Sequence, residues 1–373
     1  MPDLYDAVGH GMWVYSRAAF RLSLFDPEGF APEPGTMVVI THRRETDVPV
    51  ICPPFYFGMG GRHNTTGRMH FAARDDMFLP GFFAGFPPDL PPRARRLLYR
   101  VGVGRWLPRV NVFPIRSAHV ARAGEVLVAR ADLPLAELLA EEDAAAFVER
   151  AAADGLAPPA RAGDVLRGRF ADLLWKPITP DDRPGLDDFW SARAAQAAGD
   201  FRKLVEIVRN GNVLLVFPEG RPSLDGEIGP IRPGVGALVR RGRPAAVRPL
   251  AIAYDPLVKG RTRVHLVHGP PAQLPRDDVE GALLALLRRT MPLTCGQVVA
   301  TLLEAGAEAE VPALERELAD AVAAAQEEGR PVEPDLESPE GRRRRLAEAL
   351  AVAPRRAGEL AFLAREYASA RER

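Results

Sequence analysis

The sequence predicts an α/β protein, and three observations carry that expectation. Short, continuously apolar runs recur along the chain: M-V-V-I-T at 37–41, M-H-F-A-A-R at 69–74, V-N-V-F-P-I at 110–115, V-L-L-V-F-P at 213–218, A-V-R-P-L-A-I-A-Y at 246–254 and V-H-L-V-H-G at 264–269. Runs that do not alternate with polar residues belong to strands covered on both faces. Helical stretches separate them, which is the pattern of helices layered on a sheet. The length of 373 residues suits one large domain or two small ones with a proper core.

The elements follow in order. Residues 4–25 read as an amphipathic helix, with Val8, Met12, Trp13, Ala19 and Phe20 on one face and sparse charges at Asp6, Arg17 and Arg21. Such a helix packs on a core, lies in a bilayer interface, or does both. The link D-P-E-G-F-A-P-E-P-G ends it. Between Ser117 and Asp200 alanine and acidic residues take over, then W-K-P-I-T-P-D-D-R-P-G-L-D-D-F-W gives an irregular stretch. From about 271 the chain is helical and highly charged, split by E-E-G-R-P-V-E-P-D-L-E-S-P-E-G. The expected division is an N-terminal amphipathic helix over 1–30, an α/β domain made of 31–117 and 200–270, an insertion over 118–199 and a helical region over 271–373.

Composition excludes several classes. Apolar residues make up 47%, and basic and acidic side chains balance at 49 each. That balance argues against a dedicated nucleic-acid binder. Two cysteines, Cys52 and Cys295, give neither a disulfide framework nor metal spacing, which fits a reducing cytoplasm. Neither a secretory leader pattern nor a membrane-spanning apolar run is read, so contact with a membrane is expected from one face.

The polar residues at strand ends carry the chemistry. His42 and Asp47 follow the run at 37–41. On a regular helix, residues five apart point about 140° away from each other, so the two meet only where a strand turns into a helix. A carboxylate on one imidazole nitrogen fixes the tautomer and leaves the other nitrogen free to take a proton. A second strand ends in Phe217-Pro218-Glu219-Gly220, a tetrapeptide that arises by chance in a chain of this length roughly twice in a thousand. Gly220 allows a tight turn, and Glu219 is another strand-end carboxylate. Arg116 closes V-N-V-F-P-I-R, where an arginine either grips a phosphate or forms a surface ion pair. V-R-P-L-A-I-A-Y-D reads as a strand with no reactive group of its own. His63, His119, His265 and His268 read as structural or exposed, without metal-ligand spacing.

H-R-R-E-T-D, V-F-P-I-R, F-P-E-G-R-P-S and V-R-P-L-A-I, in that order, resemble the four blocks of the glycerol-phosphate and lysophosphatidic acid acyltransferases. The likeness covers about 31–117 and 200–270. The second block has Val110 where glycine is usual and Pro114 where isoleucine is usual. The third has Arg221 one place early, followed by Pro222. The resemblance implies a glycerolipid acyltransferase-like fold: a mixed, mostly parallel sheet flanked by helices, here with a helical insertion and a helical C-terminal region. It implies an O-acyltransferase in which His42 is the general base and Asp47 orients it. The hydroxyl of a lysophospholipid or glycerol phosphate attacks an acyl thioester directly, without an acyl-enzyme. Arg116 would bind the acceptor phosphate with Arg221 as helper, and Glu219 and Gly220 would shape the acceptor site. No cofactor is expected. The donor substrate is acyl-CoA or acyl carrier protein.

The stretch 79–109 holds six arginines between 93 and 109, with Tyr99, Trp106, Phe82, Phe83 and Phe86 nearby. It suits an anionic membrane surface, or a solvated helix packed on its own domain. The expected setting is phospholipid biosynthesis in the cytoplasm, peripheral on the inner face of the cell membrane. Three other readings fit the same blocks: acylation of another lipid or glycolipid hydroxyl, hydrolysis with water replacing the lipid hydroxyl, and a lipid-binding scaffold without turnover.

Overall fold

The apolar runs become the strands of one sheet. The computed structural model describes residues 3–60, 67–79, 82, 91–99, 101–182, 185–306 and 311–372. Its strands are β1 (Arg21–Phe25), β2 (Thr36–Ile40), β3 (His70–Arg74), β4 (Val112–Ile115), β5 (Ala121–Arg122), β6 (Pro177–Ile178), β7 (Leu214–Val216), β8 (Ala246–Asp255) and β9 (Arg263–His268). Seven form a sheet in the order β1-β9-β8-β2-β7-β3-β4, and β5 pairs with β6 in a separate ribbon. β2 is parallel to β7 and to β8, with Val38 opposite Leu215 on one side and Arg248 on the other. β3 continues parallel on β7, β9 is antiparallel to β8, and β1 is parallel to β9. The expected α/β class with a mixed, mostly parallel sheet and flanking helices is borne out.

The helices used below are α1 (Leu4–Ala19), α2 (Asp47–Gly58), α3 (Glu141–Ala153), α4 (Asp187–Arg209), α5 (Pro233–Gly242), α6 (Val279–Thr290), α7 (Cys295–Glu304), α8 (Val311–Glu327), α9 (Pro339–Val352) and α10 (Ala357–Arg371). Helix α1 is shorter than the sequence suggested. Residues Arg21–Phe25 alternate polar and apolar and pair with β9 as an edge strand, so the helix stops at Ala19. Its packed face differs in part: Val8, Met12, Ala19 and Phe20 are half-buried as the sequence suggested, and Trp13 is exposed. Tyr5, Asp6, Gly9 and Ser16 are buried, whereas Trp13, Val14 and Tyr15 are 40%, 59% and 42% exposed. A side chain at Gly9 would meet the Tyr56 ring of α2 at 2.9 Å, and Tyr56 Oη donates to Asp6 Oδ1 at 2.9 Å.

The chain forms two compact units, residues 1–71 with 205–373, and residues 72–204. The division therefore falls elsewhere than the boundaries read from sequence. The second unit takes in β4 and the stretch before 118, and α4 runs unbroken through position 200. Its core gathers Val126, Leu127, Phe147, Phe170 and Trp190, with Tyr99 packed against them.

In the first unit, β2 is buried along its whole length. The C-terminal helices close around Leu257, Val298, Leu318, Leu336, Leu346 and Leu363. Each such side chain, fully buried, contributes about 1.5–3 kcal/mol relative to leaving it in water. That core fixes α10 in place. Among the described residues no helix is long and apolar enough to cross a membrane.

Candidate active site

Three neighbouring parallel strands deliver their C-terminal residues to one edge of the sheet. His42 follows β2, Glu219 follows β7, and Tyr254 lies near the end of β8. Outside the carboxyl ends of strands is where open α/β sheets place ligands. The chain then turns from β2 into α2, whose first residue is Asp47.

Asp47 is fully buried and organises this corner. His42 Nδ1 donates to Asp47 Oδ2 at 2.8 Å, and the same oxygen accepts the backbone N–H groups of Arg43 at 2.6 Å and Arg44 at 3.0 Å. Tyr254 Oη donates to Asp47 Oδ1 at 2.8 Å. A carboxylate only accepts, so these donors fix the proton of His42 on Nδ1 and leave Nε2 unprotonated. Among the described residues no group hydrogen-bonds to Nε2. The imidazole stacks on Phe217, with centroids 4.3 Å apart. Burial and the Asp47 carboxylate push the Tyr254 phenol well above its ordinary range, so it stays a donor.

Glu219 holds the backbone rather than facing outward. Its Oε1 accepts the His42 N–H at 2.9 Å and its Oε2 accepts the Gly229 N–H at 2.9 Å. Burial pushes its carboxyl up, opposed by the Arg43 guanidinium and these two amides. Gly220 has φ +74°, the left-handed region that glycine alone enters freely, and its N–H closes the turn on Phe217 O at 3.1 Å. Ser223 N–H reaches His42 O at 2.8 Å. The F-P-E-G turn and the H-x-x-x-x-D corner are thus joined by the Glu219 carboxylate on the His42 amide and by one main-chain bond from Ser223.

The arginines divide. Arg221 is exposed, and no described residue bonds to its guanidinium. Arg116 belongs to the unit of residues 72–204, where Nε donates to Asp200 Oδ2 at 3.1 Å and Nη1 to Gln196 Oε1 at 2.8 Å. Gln196 also lines a cavity of about 480 Å³ with Tyr99, Leu174, Trp175 and Phe189. In the basic stretch, Trp106 is exposed and carries the guanidiniums of Arg105 and Arg109 over its ring at 5.1 and 4.4 Å. Phe82 packs on Trp175, and Phe83, Phe86 and His63 lie outside the described residues.

Sequence reasoning missed three residues of this site. Tyr254 sat in a strand read as having no reactive group, and a tyrosine at the end of an otherwise aliphatic run was its signal. Arg43 is fully buried, its Nη1 donating to Gly226 O at 3.1 Å and Glu227 O at 3.0 Å. Glu366 of α10 lies 3.6 Å from Arg43 Nε, and no local pattern marked it. His265 was read as structural or exposed, without metal-ligand spacing, and it is buried. In space Asp255, His265 and Glu333 bring ligand atoms within 4.8 Å of one another. The Arg345 guanidinium sits on both carboxylates, at 2.7 Å from Asp255 and 2.6 Å from Glu333, so a resident cation already fills that cluster.

Fold and site together define an α/β protein with a histidine–carboxylate pair at the carboxyl edge of a mixed, mostly parallel sheet. The family model described as Acyltransferase matches residues 177–253, from β6 through the F-P-E-G turn to β8. The matched span contains the F-P-E-G-R-P-S and V-R-P-L-A-I blocks. Among solved structures, the chain is similar to the 1-acyl-sn-glycerophosphate (LPA) acyltransferase PlsC from Thermotoga maritima, at 12% identity and a TM-score of 0.39, over 76% of this chain and 77% of that one. Comparison with curated protein sequences yields no match.

Proposed function

We propose that this protein is an acyltransferase that moves a fatty acyl group from an acyl thioester, acyl-CoA or acyl carrier protein, to the hydroxyl of a lysophospholipid or glycerol phosphate. The observation that carries the proposal is the His42 Nδ1–Asp47 Oδ2 bond of 2.8 Å, which aims an unprotonated Nε2 away from its carboxylate. Nε2 takes the hydroxyl proton as the oxygen forms its bond to the thioester carbonyl. The proton then passes to the departing thiolate, and Asp47 stabilises the imidazolium between the two steps. No enzyme nucleophile is required, and the cysteines suit that reading: burial pushes the thiols of Cys52 and Cys295 far above their ordinary range, against thiolate formation. Arg221, exposed and unpaired among the described residues, is available to an acceptor phosphate. Arg116 would have to exchange Asp200 and Gln196 for that phosphate. This occupied guanidinium favours a second acceptor, another lipid or glycolipid hydroxyl without a phosphate at Arg116. The exposed Trp13, Val14 and Tyr15 of α1 and the Arg105–Trp106–Arg109 stack support an anionic membrane surface as the place of work.

One assay tests these points: radiolabelled acyl-CoA with lysophosphatidic acid, presented in neutral or anionic vesicles, on the wild type and His42→Ala. Loss of the general base lowers kcat by about 10²–10⁴-fold. Turnover that survives the substitution sinks the mechanism. Equal rates on both vesicles remove the electrostatic attraction, and release of free fatty acid without a lipid product marks a hydrolase.

A further inference from the structure

We infer that Glu366, on helix α10, is a positioning residue for the His42–Asp47 site, acting through the buried guanidinium of Arg43 on Glu219 and so on the backbone of His42. The inference rests on the functional reading above for its kinetic consequences, though not for its geometry.

Arg43 lies between two buried carboxylates and hydrogen-bonds to neither. Its Nη2 is 3.9 Å from Glu219 Oε1 and its Nε is 3.6 Å from Glu366 Oε1. Among the described residues, Arg43 Nε and Nη2 and Glu366 Oε1 have no hydrogen-bond partner. Glu366 Oε2 is held by Gln297 Nε2 at 2.7 Å, which fixes the carboxylate. At these separations in a poorly solvated interior, the attraction of a cation to each anion is strong, and the guanidinium rests where the two pulls oppose. Glu219 is therefore free to keep both oxygens on the amides of His42 and Gly229. With the charge at 366 removed, Glu219 is the nearer remaining anion, and Arg43 draws it away from the His42 N–H.

Helix α10 is seated firmly enough to set this balance. Gly226 has φ +96°, and a Cβ there would stand 2.1 Å from Phe362 O, so the helix backbone touches the loop that carries the carbonyls bound by Arg43. Ser369 Oγ accepts the Ile228 N–H at 3.0 Å, and Glu359 takes Arg44 Nη2 at 2.5 Å. Three turns of one helix thus grip both loops of the site.

The test compares wild type, Glu366→Gln, Glu366→Asp and His42→Ala in the full chain. Steady-state acyl transfer, the melting temperature and the amide resonance of His42 are measured. Glu366→Gln keeps the size of the side chain and loses its charge. Its kcat falls about 10-fold, the order expected of a small misplacement of reacting groups, while KM stays within about 2-fold. Glu366→Asp retains more of kcat than Glu366→Gln, and the His42 amide proton moves upfield in the glutamine variant as its bond to Glu219 lengthens. Wild-type kcat and an unmoved amide in Glu366→Gln overturn the inference. So do equal losses in both variants that follow the melting temperature. Undiminished turnover in His42→Ala overturns the functional reading instead, and the amide resonance then decides on Glu366 by itself.

Discussion

Two buried guanidiniums in the first unit are surrounded by carboxylates, and they are built to opposite standards. Arg345 is saturated: Nε meets Glu333 at 2.6 Å, Nη2 meets Asp255 at 2.7 Å and Nη1 meets Glu348 at 2.6 Å. Glu333 also takes Arg263 at 2.6 Å and the Cys295 N–H at 2.9 Å. Arg43 has two carbonyls on one nitrogen and only longer approaches to Glu219 and Glu366. A saturated buried network rigidifies, whereas an incomplete one holds its members in a balance that a neighbouring charge can shift. The saturated network ties α9 to the ends of β8 and β9. The incomplete one lies behind the histidine.

The largest effect should come from breaking the saturated side. Arg345→Ala strands Asp255 as a buried charge, leaves Glu333 to Arg263, and costs about 3–5 kcal/mol of stability, read from denaturant midpoints. Turnover per folded molecule should change far less than in Glu366→Gln, and a reversed order would dissolve the contrast. A smaller effect follows Tyr254→Phe, which removes one donor from a charged carboxylate. The expected loss is about 1.5–3 kcal/mol of stability, with turnover reduced because Asp47 gains rotational freedom; unchanged kinetics would make Tyr254 a packing residue only.

The smallest is a slope with pH. Burial, opposed by Arg43, Gln297 and Arg44 and reinforced by Asp47, pushes the Glu366 carboxyl up to about 7 from an ordinary 4.5. The folded chain then binds this proton more tightly than the unfolded one. Stability contributed by the group is full below the ordinary value, is lost as pH rises toward about 7, and is level above that. Glu366→Gln lacks this term, so its stability relative to wild type should rise between those limits. Parallel curves in denaturant titrations at both ends of the window would contradict the buried environment of the carboxyl.

How much of this was legible depended on whether the signal was local. His42, Asp47 and the F-P-E-G turn could be read because a strand-to-helix corner and a glycine turn are written in consecutive residues. Their meeting required only that two apolar runs be parallel neighbours. Tyr254 had only its residue type as a signal, because nothing in A-V-R-P-L-A-I-A-Y states that this strand lies beside β2. Arg43 sits in a run of charges that gives no hint of its burial, and that burial depends on α10, contributed from the far end of the sequence. Arg116 was placed at a strand end, as β4 shows, but Asp200 and Gln196 come from α4, beyond the reach of spacing. The overlong first helix had a local signal that was passed over: R-L-S-L-F alternates with period two.

The contacts that compose the site span very unequal stretches of chain. His42 and Asp47 are 5 residues apart, but His42 and Glu219 are separated by 177, Asp47 and Tyr254 by 207, and Arg44 and Glu359 by 315. Closing such loops costs entropy before any contact repays it, and pairings of this range form slowly. The imidazole–carboxylate pair can therefore exist in a partly folded chain, while the groups that aim it arrive only when the whole topology has closed. A half-folded molecule would hold the imidazole and its carboxylate without the alignment that the distant groups supply.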